Sequence, residues 1–460
     1  MTGMTGMTGM TGMTGMTGMT DPVLIRGASV LGGPAADLLL AGGRIAAIGP
    51  VLEAPTDAAI VEARGLVALP GLVDLHTHLR EPGREDAETV ASGTRAAALG
   101  GYTAVHAMAN TDPVADTAGV VEQVWRLGRE AGWCDVAPVG AVTVGLHGEQ
   151  LAELGAMADS TARVRVFSDD GLCVADPILM RRALEYVKAF DGVVAQHAEE
   201  PRLTRGAQLN EGVQSARLGL TGWPAVAEEA IIARDVLLAG HVGSRLHVCH
   251  VSTAGSVELL RWAKSKSWDV TAEVTPHHLL LTDELAGGYD PVYKVNPPLR
   301  TAADVEALRA GLVDGTIDCV ATDHAPHARE DKETEWAAAR PGMLGLETAL
   351  GVVVGALADR VAPHALWPLV AERMSYAPAR IGRLADAPAA QGRALAVGGP
   401  ANLVLVDPAA SWTVDADQLA SRSRNTPFAG RELPVRVVET FLRGRRTVAG
   451  GMLAEPVGAG

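Results

Sequence analysis

The stretch GLVDLHTHLREPG, residues 71–83, holds the residue types best suited to chemistry. An apolar run from Val67 to Leu75 ends in His76 and His78. Side chains at i and i+2 of a strand point to one side, so two imidazoles can meet at one point just where the strand stops. Two neutral ring nitrogens on one face suit zinc or a similar borderline metal. Arg80 adds a fixed positive charge beside that point. An H-x-H pair alone could equally be two surface histidines in a turn, so the rest of the chain has to decide.

Other apolar runs end in the same kind of residue. Asn110 closes one in MANTDP, Asp169 and Asp170 in VFSDDG, His197 in VVAQHAEE and His250 in LHVCHVS. Asp323 closes another in VATDHAPH, with His324 and His327 just after it. Any one of these could be a satisfied core histidine or a capping aspartate. Four histidines and two aspartates at the ends of five strands are harder to explain as packing, because burying that much polarity without partners is costly. Metal ions would satisfy all of it. Four imidazoles and two carboxylates exceed one tetrahedral site and suit two metals about 3.5–4 Å apart, with one carboxylate bridging. Zinc is the first expectation from nitrogen and oxygen ligands, with manganese, cobalt and iron as alternatives.

The elements that must position these residues follow from the pattern around them. From Ala68 to about residue 390, eight apolar runs alternate with amphipathic helical stretches, the signature of buried parallel strands and crossover helices. Eight such units predict an α/β fold, a closed (β/α)8 barrel whose active site lies at the C-terminal ends of its strands. An open doubly wound sheet is the alternative, but no G-x-G-x-x-G follows a first strand. Both chain ends read as short strands with glycine turns. They predict a small β-sandwich domain built from residues 21–67 and 393–460, enclosing a barrel domain at 68–392. Residues 1–20, a Met-Thr-Gly repeat, lack the basic region and apolar core of a signal peptide and read as a disordered tail.

Composition narrows the partners. A net charge of −15 and only 4% aromatic residues argue against nucleic-acid binding, since neither a basic surplus nor a stacking platform is present. No apolar run approaches the ~18 residues that span a bilayer. The four cysteines are far apart and form no C-x-x-C, which fits a reducing cytosol. The expectation is a cytoplasmic protein with a small-molecule substrate, no nucleic acid and no membrane.

Taken in order, HTHLREPG, MANTDP, VFSDDG, QHAEE, HVCHVS, EVTPHH, NPPLR, TDHAPH and PGMLGLETAL closely resemble the strand ends of the dihydroorotases of the amidohydrolase superfamily, in particular the bacterial class I branch. The resemblance covers nearly everything after the tail. It implies reversible hydrolysis of the cyclic amide of (S)-dihydroorotate to N-carbamoyl-L-aspartate in de novo pyrimidine (UMP) biosynthesis. It also implies that His76, His78 and Asp323 hold one metal and His197 and His250 a second. Asp170 would bridge them, with Asp169 as the alternative if the register is off by one. Many relatives bridge with a carboxylated lysine. None of Lys188, Lys264, Lys266, Lys294 and Lys332 ends the fourth or fifth strand, which favours a plain aspartate and speaks against hydantoinase-type enzymes.

For the substrate, the resemblance implies that Arg80 and Asn110 clamp the α-carboxylate, with His327 assisting. Asn296 would hydrogen-bond the ring, and the backbone at Pro341 and Gly342 would close over it. Two metals would turn a bridging water into hydroxide, and Asp323 would take its proton and pass it to the departing nitrogen. His324 and Glu199 would orient ligands, His277 and His278 would be structural or support the ligands from behind, and residues 327–345 would form a mobile lid. The rival readings are an allantoinase-like cyclic-amide hydrolase and an inactive barrel that serves as a scaffold for aspartate transcarbamoylase. The second should have lost ligands, and this chain keeps all six. A homo-oligomer or an aspartate transcarbamoylase complex remains compatible with activity.

Overall fold

A computed structural model describes residues 21–386 and 390–454; the repeat expected as a tail lies outside them. Eight parallel strands organise the centre: β1 Leu72–Thr77, β2 Tyr102–Ala107, β3 Asp135–Pro138, β4 Val166–Phe167, β5 Val193–Gln196, β6 Leu246–Val248, β7 Val270–Val274 and β8 Cys319–Val320. Each lies in an apolar run that the sequence marks as a strand. β1 and β2 are buried at every position, as strands covered on both faces must be. β1 to β3 form one ladder and β4 to β8 another. Two isolated parallel bridges connect the ladders, Gly140 with Phe167 and Thr77 with His324.

Helices Ala118–Ala131, Pro177–Val187 and Ala254–Ser265 each bury one stripe. Helix Pro177–Val187 is typical. Asp176 caps it by accepting from the amides of Ile178 and Leu179, both at 2.8 Å, and proline opens its first turn. Met180, Ala183, Leu184 and Val187 follow at helical spacing and are fully buried against the strands. Truncating such a leucine to alanine costs about 2–5 kcal/mol.

The chain ends build one nine-stranded sheet. Val23–Val30, Ala35–Ala41, Arg44–Gly49, Ala59–Glu62 and Val67–Pro70 supply its first part. Leu403–Thr413, Glu432–Leu442, Arg445–Ala449 and Met452–Leu453 supply the rest. The two parts join where Val67–Pro70 runs antiparallel to Leu403–Thr413. The apolar run from Val67 to Leu75 is therefore two strands, Val67–Pro70 in the sheet and Leu72–Thr77 in β1, which meet at Gly71. A Cβ at Gly71 would lie 2.2 Å from Thr103 Oγ1, so only glycine lets the chain pass from the sheet to β1 at this point. Among the described residues no helix is long and apolar enough to cross a membrane.

Candidate active site

The C-terminal ends of five strands bring six side chains to one place, all of them buried. β1 ends in His76 and His78, whose ring centroids lie 5.4 Å apart. Asp170 follows β4, His197 follows β5, His250 follows β6 and Asp323 follows β8. Asp170 has two faces. Its Oδ2 lies 3.3 Å from Nε2 of both His76 and His78. Its Oδ1 lies 3.2 Å from His197 Nδ1 and 3.1 Å from His250 Nε2. Asp323 Oδ1 is 3.1 Å from His78 Nε2 and 3.5 Å from His76 Nε2. Asp169 does not face this cluster: it accepts from the amides of Val142 and Thr143 and from the Thr143 hydroxyl.

Arg80, His250 and Asp323 have φ of 63°, 30° and 46°. Non-glycine residues rarely occupy this left-handed region, and each instance costs about 1–3 kcal/mol that the surroundings must offset. Three such residues gather at the rim.

The cluster is electrostatically unfinished. Burial alone would lower the imidazole pKa of His76, but Asp170, Glu273 and Asp323 outweigh it and hold the ring well above its ordinary value. His197 is raised to about 10, with burial opposing and Asp170 and Glu199 prevailing. Burial likewise opposes ionisation of Asp170 and Asp323, yet the imidazoles, His76 foremost, hold Asp170 well below its ordinary range and Asp323 at about 2. The carboxylates thus demand positive charge between them. His76 Nε2 is buried without a hydrogen-bond partner, and His197 Nδ1 faces His250 Nε2 at 2.9 Å. His76, His78 and Asp170 form one group whose ligating atoms lie within 4.8 Å of one another, and Asp170, His197 and His250 form a second. This donor set fits divalent metal ions.

The strand-end reading missed Glu273, which lies inside β7. Its Oε1 is 2.7 Å from His76 Nδ1 and accepts from the His250 amide at 3.3 Å. Its Oε2 is 3.0 Å from His247 Nε2, and His247 Nδ1 is 2.9 Å from Thr271 Oγ1. One carboxylate therefore fixes a ring from one metal group and the backbone of the other. Glu199 lies 2.9 Å from His197 Nε2 and accepts from Asn296 Nδ2 at 3.1 Å. His324 Nε2 is 3.3 Å from Glu88 Oε2. His278 bridges Thr275 Oγ1 at 2.8 Å and the Pro297 carbonyl at 3.2 Å, a structural tie, whereas buried His277 Nε2 has no partner. The lysines stay outside the cluster. Lys264 pairs with Asp318 at 2.6 Å, Lys188 reaches the Val242 carbonyl, Lys266 lies over the Trp262 ring, and Lys294 and Lys332 bind loop carbonyls.

The residues expected to hold the substrate surround the cluster. Arg80 Nε donates to the Pro326 carbonyl at 3.1 Å, and among the described residues its guanidinium makes no ion pair. Burial draws its pKa down to about 10. Asn110 Oδ1 is 2.8 Å from His78 Nδ1, which commits the oxygen and leaves the amide nitrogen available. His327 Nε2 lies 2.8 Å from the Pro341 carbonyl. At Pro341 and Gly342, where the backbone is expected to close over the ring, the polar groups have other partners. Proline has no N–H, and Gly342 N donates to the Lys294 carbonyl at 2.9 Å. The segment expected as a mobile lid is hydrogen-bonded at both ends, by His327 N to Asn425 Oδ1 and by Gly345 N to His324 Nδ1, each at 3.2 Å.

Comparison with known proteins gives consistent relatives. A family profile described as Dihydro-orotase-like matches residues 65–256. The chain is 68% identical to a dihydroorotase of Streptomyces coelicolor, over 94% of this chain and 99% of that one. It is 58% identical to a dihydroorotase of Mycobacterium tuberculosis, over 94% and 99%. Among solved structures, an L-hydantoinase (dihydropyrimidinase) from Arthrobacter aurescens matches with a TM-score of 0.82 at 26% identity, covering 95% of this chain and 98% of that one. A dihydropyrimidinase from Brevibacillus agri matches in fold, with a TM-score of 0.78 at 23% identity over 94% and 96%.

Proposed function

The chain belongs to the dihydroorotase family, and on that premise we propose how its rim carries out the reaction. The enzyme opens the cyclic amide of (S)-dihydroorotate to N-carbamoyl-L-aspartate and closes it in the reverse direction, a step of de novo pyrimidine synthesis. The observation that carries the site assignment is the two-faced carboxylate of Asp170, with one oxygen toward His76 and His78 and the other toward His197 and His250.

In this reading His76, His78 and Asp323 would hold one divalent ion and His197 and His250 another, with Asp170 contributing to both groups; zinc would suit these donors first. When bound, such ions would polarise an amide carbonyl and bring the pKa of a water down toward about 7. Arg80 grips the substrate carboxylate, for which a guanidinium without a carboxylate partner is suited. The Asn110 amide nitrogen joins it, and His327 lies beside them. Asn296 hydrogen-bonds the ring, and Pro341 and Gly342 form the wall above it. Asp323 Oδ1 faces the imidazoles, and its other oxygen has no hydrogen-bond partner among the described residues. That oxygen takes a proton from the attacking water and delivers it to the ring nitrogen. The water oxygen bonds to the carbonyl carbon, the carbon–nitrogen bond breaks, and the ureido group leaves with the proton.

The architecture is proposed in the same terms. The bridges at Gly140 and Thr77 supply the two junctions that would make β1 to β8 a closed (β/α)8 barrel. The nine-stranded sheet reads as a sandwich because Ile25, Leu38, Leu40, Leu403, Leu405 and Phe441 form a core of their own. A cytoplasmic location is supported by four cysteines that are all free thiols. Assembly with itself or with aspartate transcarbamoylase is supported by the resemblance alone.

Turnover of dihydroorotate, hydantoin and allantoin, before and after chelation and metal re-addition, tests this function. The expected result is turnover of dihydroorotate only, lost with the chelator and restored by a divalent ion. Preference for hydantoin or allantoin, or full activity without metal, would overturn it.

A further inference from the structure

Two buried lysines stand above the rim, and neither has a carboxylate partner among the described residues. Lys332 is 8% exposed and Lys294 is 9% exposed. Lys332 belongs to the polar run HAREDKETEW and would ordinarily point to solvent. Its Nζ instead donates to three backbone carbonyls: Arg340 at 2.9 Å, Lys294 at 3.2 Å and Gly342 at 3.2 Å. Lys294 reaches the other way. Its Nζ donates to the Trp336 carbonyl at 2.7 Å, the Ala337 carbonyl at 3.2 Å and Gln208 Oε1 at 2.9 Å.

Both side chains join the two loops. Lys294 Nζ reaches Trp336 and Ala337 on the far loop, and Lys332 Nζ gathers two carbonyls of its own loop, Arg340 and Gly342, onto the Lys294 carbonyl. The Lys294 carbonyl accepts both from Lys332 Nζ and from Gly342 N, which places it at the centre of the tie. Trp336, 4% exposed, closes the knot by donating its indole N–H to the Gln208 carbonyl. These bonds add to the apolar contacts of Val295, Met343 and Trp336 in holding the loops together.

Position gives the tie its meaning. Asn296 lies two residues beyond Lys294, and Gly342 is itself bonded by Lys332. His327 lies five residues before Lys332, and its ring reaches the Pro341 carbonyl. We propose that Lys332 and Lys294 are positioning residues for substrate binding, a two-lysine clamp that sets the Asn296 loop and the Pro341–Gly342 wall at a fixed distance from each other over the ring. This rests on the substrate contacts assigned above. The clamp touches none of the groups that hold metal or carry protons, so its loss should act on binding and spare the chemical step.

The test is Lys332→Met, which keeps the length of the side chain and removes all three donors, compared with Lys332→Arg, which restores some. Lys332→Met is expected to raise KM for dihydroorotate about tenfold while kcat changes less than about threefold, with Lys332→Arg in between. Hydrogen exchange across residues 327–345, measured without substrate, should quicken at the Gly342 amide. Faster exchange with an unchanged KM would make the lysine a mere structural tie and overturn the proposal. Unchanged exchange, or a loss confined to kcat, would overturn it as well. If Lys332→Met does not fold, Lys332→Arg and Lys294→Arg decide by the same two readouts. Failure of the functional assignment would show separately, as no dihydroorotate turnover by the unaltered protein.

Discussion

The rim cluster and the loops above it are held by opposite means. In the cluster, opposite charges meet: the Asp170 and Asp323 carboxylates face four imidazoles at 3.1–3.5 Å. In the cap, positive groups meet uncharged carbonyls: Arg80 on Pro326, Lys332 on Arg340, Lys294 on Trp336. The first arrangement stands on strand ends, where the ladder fixes each backbone. The second stands on loops, and at Arg80 it leaves a guanidinium without a carboxylate partner among the described residues, where an anion can use it. In the proposed reading, bond-breaking falls to the strands and recognition to the loops.

Substitutions can break or sharpen that division. The largest effect is expected at Asp323: Asp323→Ala should lower kcat by about 10²–10⁴-fold, and a near-normal kcat in steady-state assays would remove its proton-transfer role. Next is Glu273→Gln, which keeps the shape but weakens the hold on His76. Metal affinity should fall by about 10–100-fold, read by competition with a chromogenic chelator, with secondary structure intact. Unchanged affinity would show that Glu273 does not orient the site. Smaller still is Arg80→Met on the cap side, expected to raise KM for dihydroorotate about tenfold through loss of a charged hydrogen-bond pair. If kcat collapsed and KM held, the guanidinium would belong to the chemical machinery and the division would be wrong at that residue.

Much of this was legible in the sequence, for physical reasons that also explain the rest. The spacing of His76 and His78 on one strand put both rings on one side, because the pleat alternates faces. The same alternation left Asp169 and Asp170 undecided, since one of two neighbours must point away and nothing in VFSDDG says which. The structure turns Asp169 to the amides of Val142 and Thr143. Glu273 escaped because attention to strand ends passes over residues inside a strand, although it stands in the motif EVTPHH. The lysine pair escaped because a run such as REDKE reads as a solvated face. Only the loop carbonyls, which have no signature in the side chains, make Lys332 a buried donor. The join at Gly71 had a visible signal in Pro70-Gly71, a turn dipeptide inside an apolar run.

That join bears on how the protein can be made. The strand Val67–Pro70, one glycine away from the first rim strand, finds its partner in Leu403–Thr413, hundreds of residues later. A nascent chain emerging from the ribosome therefore carries an unpaired edge through most of its synthesis, with the aggregation risk of such an edge. Fragments that stop short of the last strands would leave Val67–Pro70 without its antiparallel neighbour, one glycine away from the strand that carries His76, so dissection of the catalytic part has to keep both termini.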